Sequence, residues 1–134
     1  MVKPLQIFQS QDPLMNRQRV LVAEDEPVLR ELLQELFEGW GYQVDAFGSA
    51  DAACAFLQEA QPTLDLLFTD VRMPGLLSGV DLALQARDRQ AGLPIVITSG
   101  YCDENPASAA RATFLPKPWD LEMLHRSCPQ PVTQ

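Results

Sequence analysis

Four short apolar runs in this chain each deliver a polar side chain at their carboxyl end. Arg19-Val20-Leu21-Val22-Ala23 leads into Glu24-Asp25, and Leu64-Asp65-Leu66-Leu67-Phe68-Thr69 leads into Asp70. Pro94-Ile95-Val96-Ile97 leads into Thr98-Ser99, and Ala112-Thr113-Phe114-Leu115-Pro116 leads into Lys117. Three carboxylates, a hydroxyl and an ammonium are a set that can hold a divalent cation and handle a phosphoryl group. They can act together only if the runs are neighbouring strands. Buried parallel strands read as short continuous hydrophobic runs, and ligands of open α/β sheets sit outside the carboxyl ends of such strands.

Glu24, Asp25 and Asp70 at one edge would repel, and one would take up a proton. A Mg²⁺ ion, or Mn²⁺ in its place, removes the conflict; two carboxylates, a backbone carbonyl and waters satisfy its octahedral demand for oxygen. Asp70 is the candidate nucleophile, since an aspartate can take a phosphoryl group as an acyl phosphate. Lys117 supplies a compact charge. Thr98 supplies a hydroxyl, and the Ser99 N–H a second donor. Taken singly these residues have plainer readings as caps, strand ends, surface charge or a turn before Met73-Pro74-Gly75. Taken together, each relevant strand ends in the residue type required.

The intervening segments must place these ends. Val28, Leu29, Leu32, Leu33, Leu36 and Phe37 recur at helical spacing, with Pro27 at a first turn and Gly39 at a C-terminal stop. Tyr42 to Phe47 reads as a strand. Ser49 suits the N-cap of a helix from Ala50 to about Ala60, ended by Pro62. Val80, Leu82, Ala83, Leu84 and Ala86 mark another helix running to about Gln90. A short alanine-rich helix with Pro106 is expected over 103–110, and a last helix from about Trp119 to Ser127. Strand and helix alternate five times, which implies an α/β fold: a flavodoxin-like, doubly wound (βα)5 with a five-stranded parallel sheet in the order 2-1-3-4-5. Its crevice falls between strands 1 and 3, at Glu24-Asp25 and Asp70.

The chain's 134 residues suit one domain, and 46% hydrophobic residues suffice for a core. A formal net charge of −8 argues against direct nucleic-acid binding by phosphate neutralisation. No stretch has the length or apolarity of a membrane span, and the N-terminus lacks the apolar region of a secretory signal, so a cytoplasmic location is expected. Three cysteines and one histidine at these spacings make no zinc site. Residues 1–17 read as a leader or linker, partly disordered, 18–128 as the domain, and 129–134 as a tail.

The residues at the strand ends carry a resemblance. Val20-Leu21-Val22-Ala23-Glu24-Asp25-Glu26-Pro27, Thr69-Asp70-Val71-Arg72-Met73-Pro74-Gly75, Val96-Ile97-Thr98-Ser99-Gly100-Tyr101 and Phe114-Leu115-Pro116-Lys117-Pro118-Trp119 resemble, in order and spacing, the receiver domains of two-component response regulators. The resemblance implies that Asp70 is the phosphoacceptor and that Asp25 binds Mg²⁺ directly. Glu24 would bind it directly or through water, and the Arg72 backbone carbonyl would complete the protein ligands. It further implies that Thr98 is the switch hydroxyl, Lys117 the family's lysine and Phe114 the aromatic rotamer switch. The implied donor is a histidine kinase or histidine phosphotransfer protein. The output is a downstream protein, or a homodimer, on the face of the fourth helix, fifth strand and fifth helix. Such a chain is a stand-alone regulator or the receiver of a hybrid histidine kinase. It is a signalling domain rather than an enzyme, catalysing only its own phosphorylation and dephosphorylation.

Two departures stand out. Leu76-Leu77 lengthens the loop after Met73-Pro74-Gly75, and the stretch between Thr98 and Lys117 is short by roughly one helical turn. Competing readings are a degenerate receiver acting as a docking module and, below it, a haloacid-dehalogenase-like phosphohydrolase. The latter needs a second aspartate two residues after a nucleophile on the first strand, where Asp25 is followed by Glu26-Pro27.

Overall fold

The computed structural model describes residues 17–100 and 108–129. The leader expected up to residue 17 lies outside the described residues except for Arg17, as do the tail beyond Pro129, Tyr101, and residues 103–107 of the expected short helix.

Five strands, β1 (Gln18–Ala23), β2 (Tyr42–Phe47), β3 (Leu66–Asp70), β4 (Ile95–Ser99) and β5 (Thr113–Pro116), form one parallel sheet. Their order is β2-β1-β3-β4-β5, as the alternation of elements predicts. Successive strand residues point to opposite faces, so one apolar run serves two cores. Val20 and Val22 face α1 (Pro27–Gly39) and α4 (Leu121–Ser127), whereas Leu21 and Ala23 face α2 (Ala50–Ala60) and α3 (Gly79–Arg89). All four are fully buried.

The helices follow from local chemistry. Pro27 opens α1, and Leu33 and Phe37, one turn apart, bury against the sheet. Phe37 meets Tyr42 and Phe68 edge-on, with ring centroids 5.6 Å and 5.8 Å away. The six-residue apolar stripe of α1 is wider than the sheet can cover: Val28 stays 82% exposed and Leu32 46% exposed. Gly39 closes the helix, but the positive φ falls at Gly41, at 104°. Tyr42 is buried, and its hydroxyl donates to the Pro129 carbonyl.

The Ser49 hydroxyl caps α2 by accepting from the Ala52 N–H at 3.1 Å. Gln61 ends that helix in the left-handed region, at φ 47°, just ahead of Pro62. A reciprocal box between Ser78 and Asp81 starts α3. The last helix starts at Leu121, two residues later than the apolar pattern suggests, because the Asp120 side chain takes the N-cap and accepts from Met123. Between β4 and β5 the described residues hold a single 3-10 turn, Ser108–Ala110. The Arg87 guanidinium secures it by donating to the carbonyls of Ala110 and Arg111, and it also reaches Leu93 at 2.6 Å.

Candidate functional site

The strand ends converge as the sequence requires. Asp70 is the last residue of β3 and stands in register with Thr98 of β4, which in turn faces Leu115 of β5. Glu24 and Asp25 follow β1 directly. The ladder runs on past the strand ends: the Val71 N–H donates to the Thr98 carbonyl at 3.1 Å, and the Lys117 N–H to the Ser99 carbonyl at 3.0 Å. These bonds pin the loops that carry the polar groups.

Among the described residues, one group of three acids has the spacing to hold a metal ion: Glu24, Asp25 and Asp70 each offer an oxygen within 4.8 Å of the others. Lys117 Nζ lies 2.6 Å from Asp70 Oδ2 and 3.9 Å from Glu24 Oε1. Asp70 Oδ1 accepts from the Val71 N–H at 2.6 Å. Glu24 Oε2 accepts from the Glu26 N–H, while Oε1 is buried without a hydrogen-bond partner. An orphaned buried carboxylate oxygen is costly. Burial pushes the Glu24 carboxyl up to about 7; the Glu26 amide and Lys117 pull it back, and Asp70 and Asp25 add to the rise. For Lys117, burial opposes the charge, but Asp70, by hydrogen bond and charge, and then Glu24 and Glu26 outweigh it and hold its pKa above the ordinary lysine value. A divalent cation fits this donor set: it would satisfy the orphaned oxygen and relieve the crowding of acids.

Arg72 sits on the exposed loop two residues beyond Asp70. Phe114 is half-buried in register with Ile97 and packs into the core on the α2/α3 face. Thr98 is fully buried, and its hydroxyl oxygen accepts from Trp119 Nε1 at 3.1 Å. Trp119 belongs to the core on the opposite face. The sequence pattern pairs Thr98 with Phe114 through a resemblance; it contains no sign of the indole.

Three further residues escape sequence reasoning. Arg30 on α1 donates to the Glu24 carbonyl at 2.8 Å and steadies the end of β1. Asp51, in the first turn of α2, accepts from the N–H groups of Leu76 and Leu77 at 3.1 Å and 2.8 Å, tying down the lengthened loop. Gly79 packs against the strand that carries Asp70: a Cβ there would lie 1.7 Å from the Asp70 carbonyl oxygen. A Gly after a loop and an Asp at a helix start carry these cues only weakly, because both are ordinary helix-start residues.

Beside the site lies a groove of about 640 Å³, walled by Leu29 and Leu32 of α1 and by Lys117, Pro118 and Trp119.

A parallel sheet in this order, with acids between strands 1 and 3 and a lysine after strand 5, defines a class of phosphoryl-handling α/β domains. Residues 20–128 match the family model of the response regulator receiver domain, and the chain belongs to that family. Its function class is accordingly phosphorylation-based signalling in two-component systems. It is similar to the DNA-binding transcriptional regulator NtrC of Salmonella typhimurium, 32% identical over 112 residues, covering 81% of this chain and 23% of that protein. The chain thus spans about a quarter of that relative's length. It is also similar to the response regulator receiver protein CpdR of Brucella abortus, 36% identical over 79% of this chain and 89% of that protein. Among solved structures, the response regulator TrrA of Thermotoga maritima, in complex with Mg(2+)-BeF, superposes with a TM-score of 0.69 at 28% identity, covering 81% of this chain and 94% of TrrA. No helix among the described residues is long and apolar enough to cross a membrane.

Proposed function

We propose that Asp70 accepts a phosphoryl group from a phosphohistidine on a histidine kinase or phosphotransfer protein, with Mg²⁺ held by Asp25, Asp70, Glu24 and the Arg72 carbonyl. The observation that carries this reading is the meeting of Asp70, Lys117 and the acidic pair at one sheet edge, with Glu24 Oε1 left without a hydrogen bond. The Mg²⁺–BeF complex of TrrA supports it, since BeF is a phosphoryl mimic.

In the transfer, an Asp70 carboxylate oxygen forms a bond to phosphorus as the phosphorus–nitrogen bond breaks. The electron pair returns to the imidazole, which picks up a proton. When bound, the divalent cation neutralises charge on the carboxylates and phosphoryl oxygens. Lys117 already touches Asp70 and needs only to pass its ammonium from a carboxylate oxygen to a phosphoryl oxygen. Thr98 supplies a hydroxyl donor to another. Phosphorylation adds roughly −1.5 to −2 charges at this edge. Movement of Thr98 and Phe114 then carries the change to β5 and α4, where a downstream protein reads it. The exposed Val28 and Leu32 beside the groove offer the phosphodonor an apolar landing next to Asp70. A cytoplasmic setting goes with a donor that is made from ATP.

Incubation with Mg²⁺ and acetyl phosphate tests the assignment. The wild-type chain takes one base- and hydroxylamine-labile phosphoryl group, and Asp70→Asn takes none. Equal labelling of the two proteins would sink it.

A further inference from the structure

We propose that Arg30 is a positioning residue for the divalent cation. Its guanidinium holds the peptide between Glu24 and Asp25, and that peptide sets the direction of the Asp25 carboxylate. This rests on the reading of the acid cluster as a cation site.

A residue of a parallel strand bonds its neighbour through both its N–H and its carbonyl. Glu24 continues this pattern past the end of β1 with its N–H, which donates to the Phe47 carbonyl at 3.0 Å. There β2 stops. The Arg30 side chain reaches back from the first turn of α1 and donates to the Glu24 carbonyl, its Nη1 2.8 Å away. The peptide is planar, so fixing that carbonyl also fixes the N–H and Cα of Asp25. Asp25 is half-buried and lends an oxygen to the acid cluster. Among the described residues no hydrogen bond holds its carboxylate. The backbone that carries Asp25 is therefore what aims it.

The guanidinium has a prepared seat. Gly48 follows β2, and a Cβ there would lie 2.9 Å from Arg30 Nη1. The backbone of Gly48 is not in the left-handed region, so its missing side chain serves space. The other end of Arg30 is held in α1, where its N–H donates to the Glu26 carbonyl at 2.8 Å. One side chain thus joins α1 and the ends of β1 and β2 around the first metal-facing acids. By charge alone Arg30 would be a hindrance, since a cation beside a cation site weakens binding. A positioning role and a charge effect therefore differ in sign.

The test is calorimetric titration of Mg²⁺ into the metal-free protein, with no phosphodonor present. Arg30→Met is expected to weaken Mg²⁺ binding about tenfold, within the range for groups that orient a metal's ligands. Binding as tight as in wild type, or tighter as loss of the charge alone predicts, would overturn the positioning role. Arg19→Met, which breaks the ion pair with Asp45 near the start of β1, controls for general loosening and should leave the affinity unchanged. Equal weakening by Arg19→Met would overturn the proposal. Gly48→Ala keeps the charge and crowds the guanidinium. It should weaken Mg²⁺ binding in the wild-type background and add nothing to Arg30→Met, because the group it acts through is gone. Equal penalties in both backgrounds would count against Arg30 decisively. Should Arg30→Met fail to fold, Gly48→Ala decides alone, and undiminished binding in that variant overturns the role. A wild type that binds no Mg²⁺ would overturn the cation-site reading and the positioning role with it. A wild type that binds, with Arg30→Met undiminished, overturns the positioning role alone.

Discussion

Lys117 donates to Asp70 across the edge of the sheet, its Nζ 2.6 Å from Oδ2, and the same ammonium lies 3.9 Å from Glu24 Oε1. One lysine thus partly compensates a cluster of three acids. Lys117→Met removes that charge while keeping most of the side-chain bulk. Labelling of Asp70 by acetyl phosphate is expected to fall about 10- to 100-fold, the range for losing a hydrogen bond between charged groups. Unchanged labelling would show that Lys117 does not meet the phosphoryl group.

Glu24 makes the metal-free protein sensitive to pH. Its carboxyl sits at about 7 when folded, against an ordinary 4.5. Between those values the folded chain holds a proton that the unfolded chain has lost. The contribution of this group is therefore full below 4.5 and is lost as pH rises to about 7, by on the order of 3 kcal/mol at most. Denaturant midpoints in chelator at about pH 5 and about pH 8 read the difference. Glu24→Gln should flatten the slope, and an identical slope in that variant would refute the assignment.

Magnesium should act in the opposite sense near neutral pH, because binding requires the ionised acids. At a concentration a hundred times its dissociation constant, Mg²⁺ is expected to raise folding stability by about 2.7 kcal/mol. Thermal melts with and without chelator check this. Asp25→Asn should abolish most of the gain, and a full gain in that variant would exclude Asp25 as a ligand.

Gly79 has no room for a side chain. A Cβ would meet the Asp70 carbonyl oxygen at 1.7 Å and Thr69 Oγ1 at 2.8 Å. Gly79→Ala should cost more than about 3 kcal/mol, beyond the ordinary range for a single substitution. Gly92→Ala, where nothing lies within 4 Å, is the control and should be nearly neutral. Equal unfolding midpoints for the two variants would disprove the close approach.

Asp51 ties the lengthened loop to α2 through the amides of Leu76 and Leu77, and those amides hold its carboxyl below the usual carboxylate range. Asp51→Ala should speed hydrogen exchange at Leu76 and Leu77 without affecting the Leu67 amide in β3. Unaltered exchange at both loop amides would mean the tie is not what orders the loop.

Much of this protein was legible in one dimension. The four apolar runs are central strands and an edge strand because continuous hydrophobic stretches bury on both faces of a parallel sheet, and Val20 to Ala23 do so without exposure. Their polar ends had to come to one edge once the order β2-β1-β3-β4-β5 was set, so the meeting of Glu24, Asp25, Asp70 and Lys117 was readable from the sequence. Helix α2 was readable at both ends, from Ser49 and Pro62, because caps and breakers act within a turn of chain.

Tertiary structure alone decided what those residues touch. The sequence placed a lysine at the edge; only packing put its ammonium on Asp70 rather than on water. The α1 stripe did not reveal that Val28 and Leu32 stay exposed, because the sheet accepts only the arc centred on Leu33 and Phe37. Nor did it show Trp119 holding Thr98, Asp51 tying Leu77, or Gly79 pressed on Asp70. Each of those contacts joins residues on different elements, at distances set by how helices seat on the sheet. Local sequence dictates the elements and the chemistry at their ends; the partners of each polar atom are chosen by the three-dimensional packing that brings distant segments together.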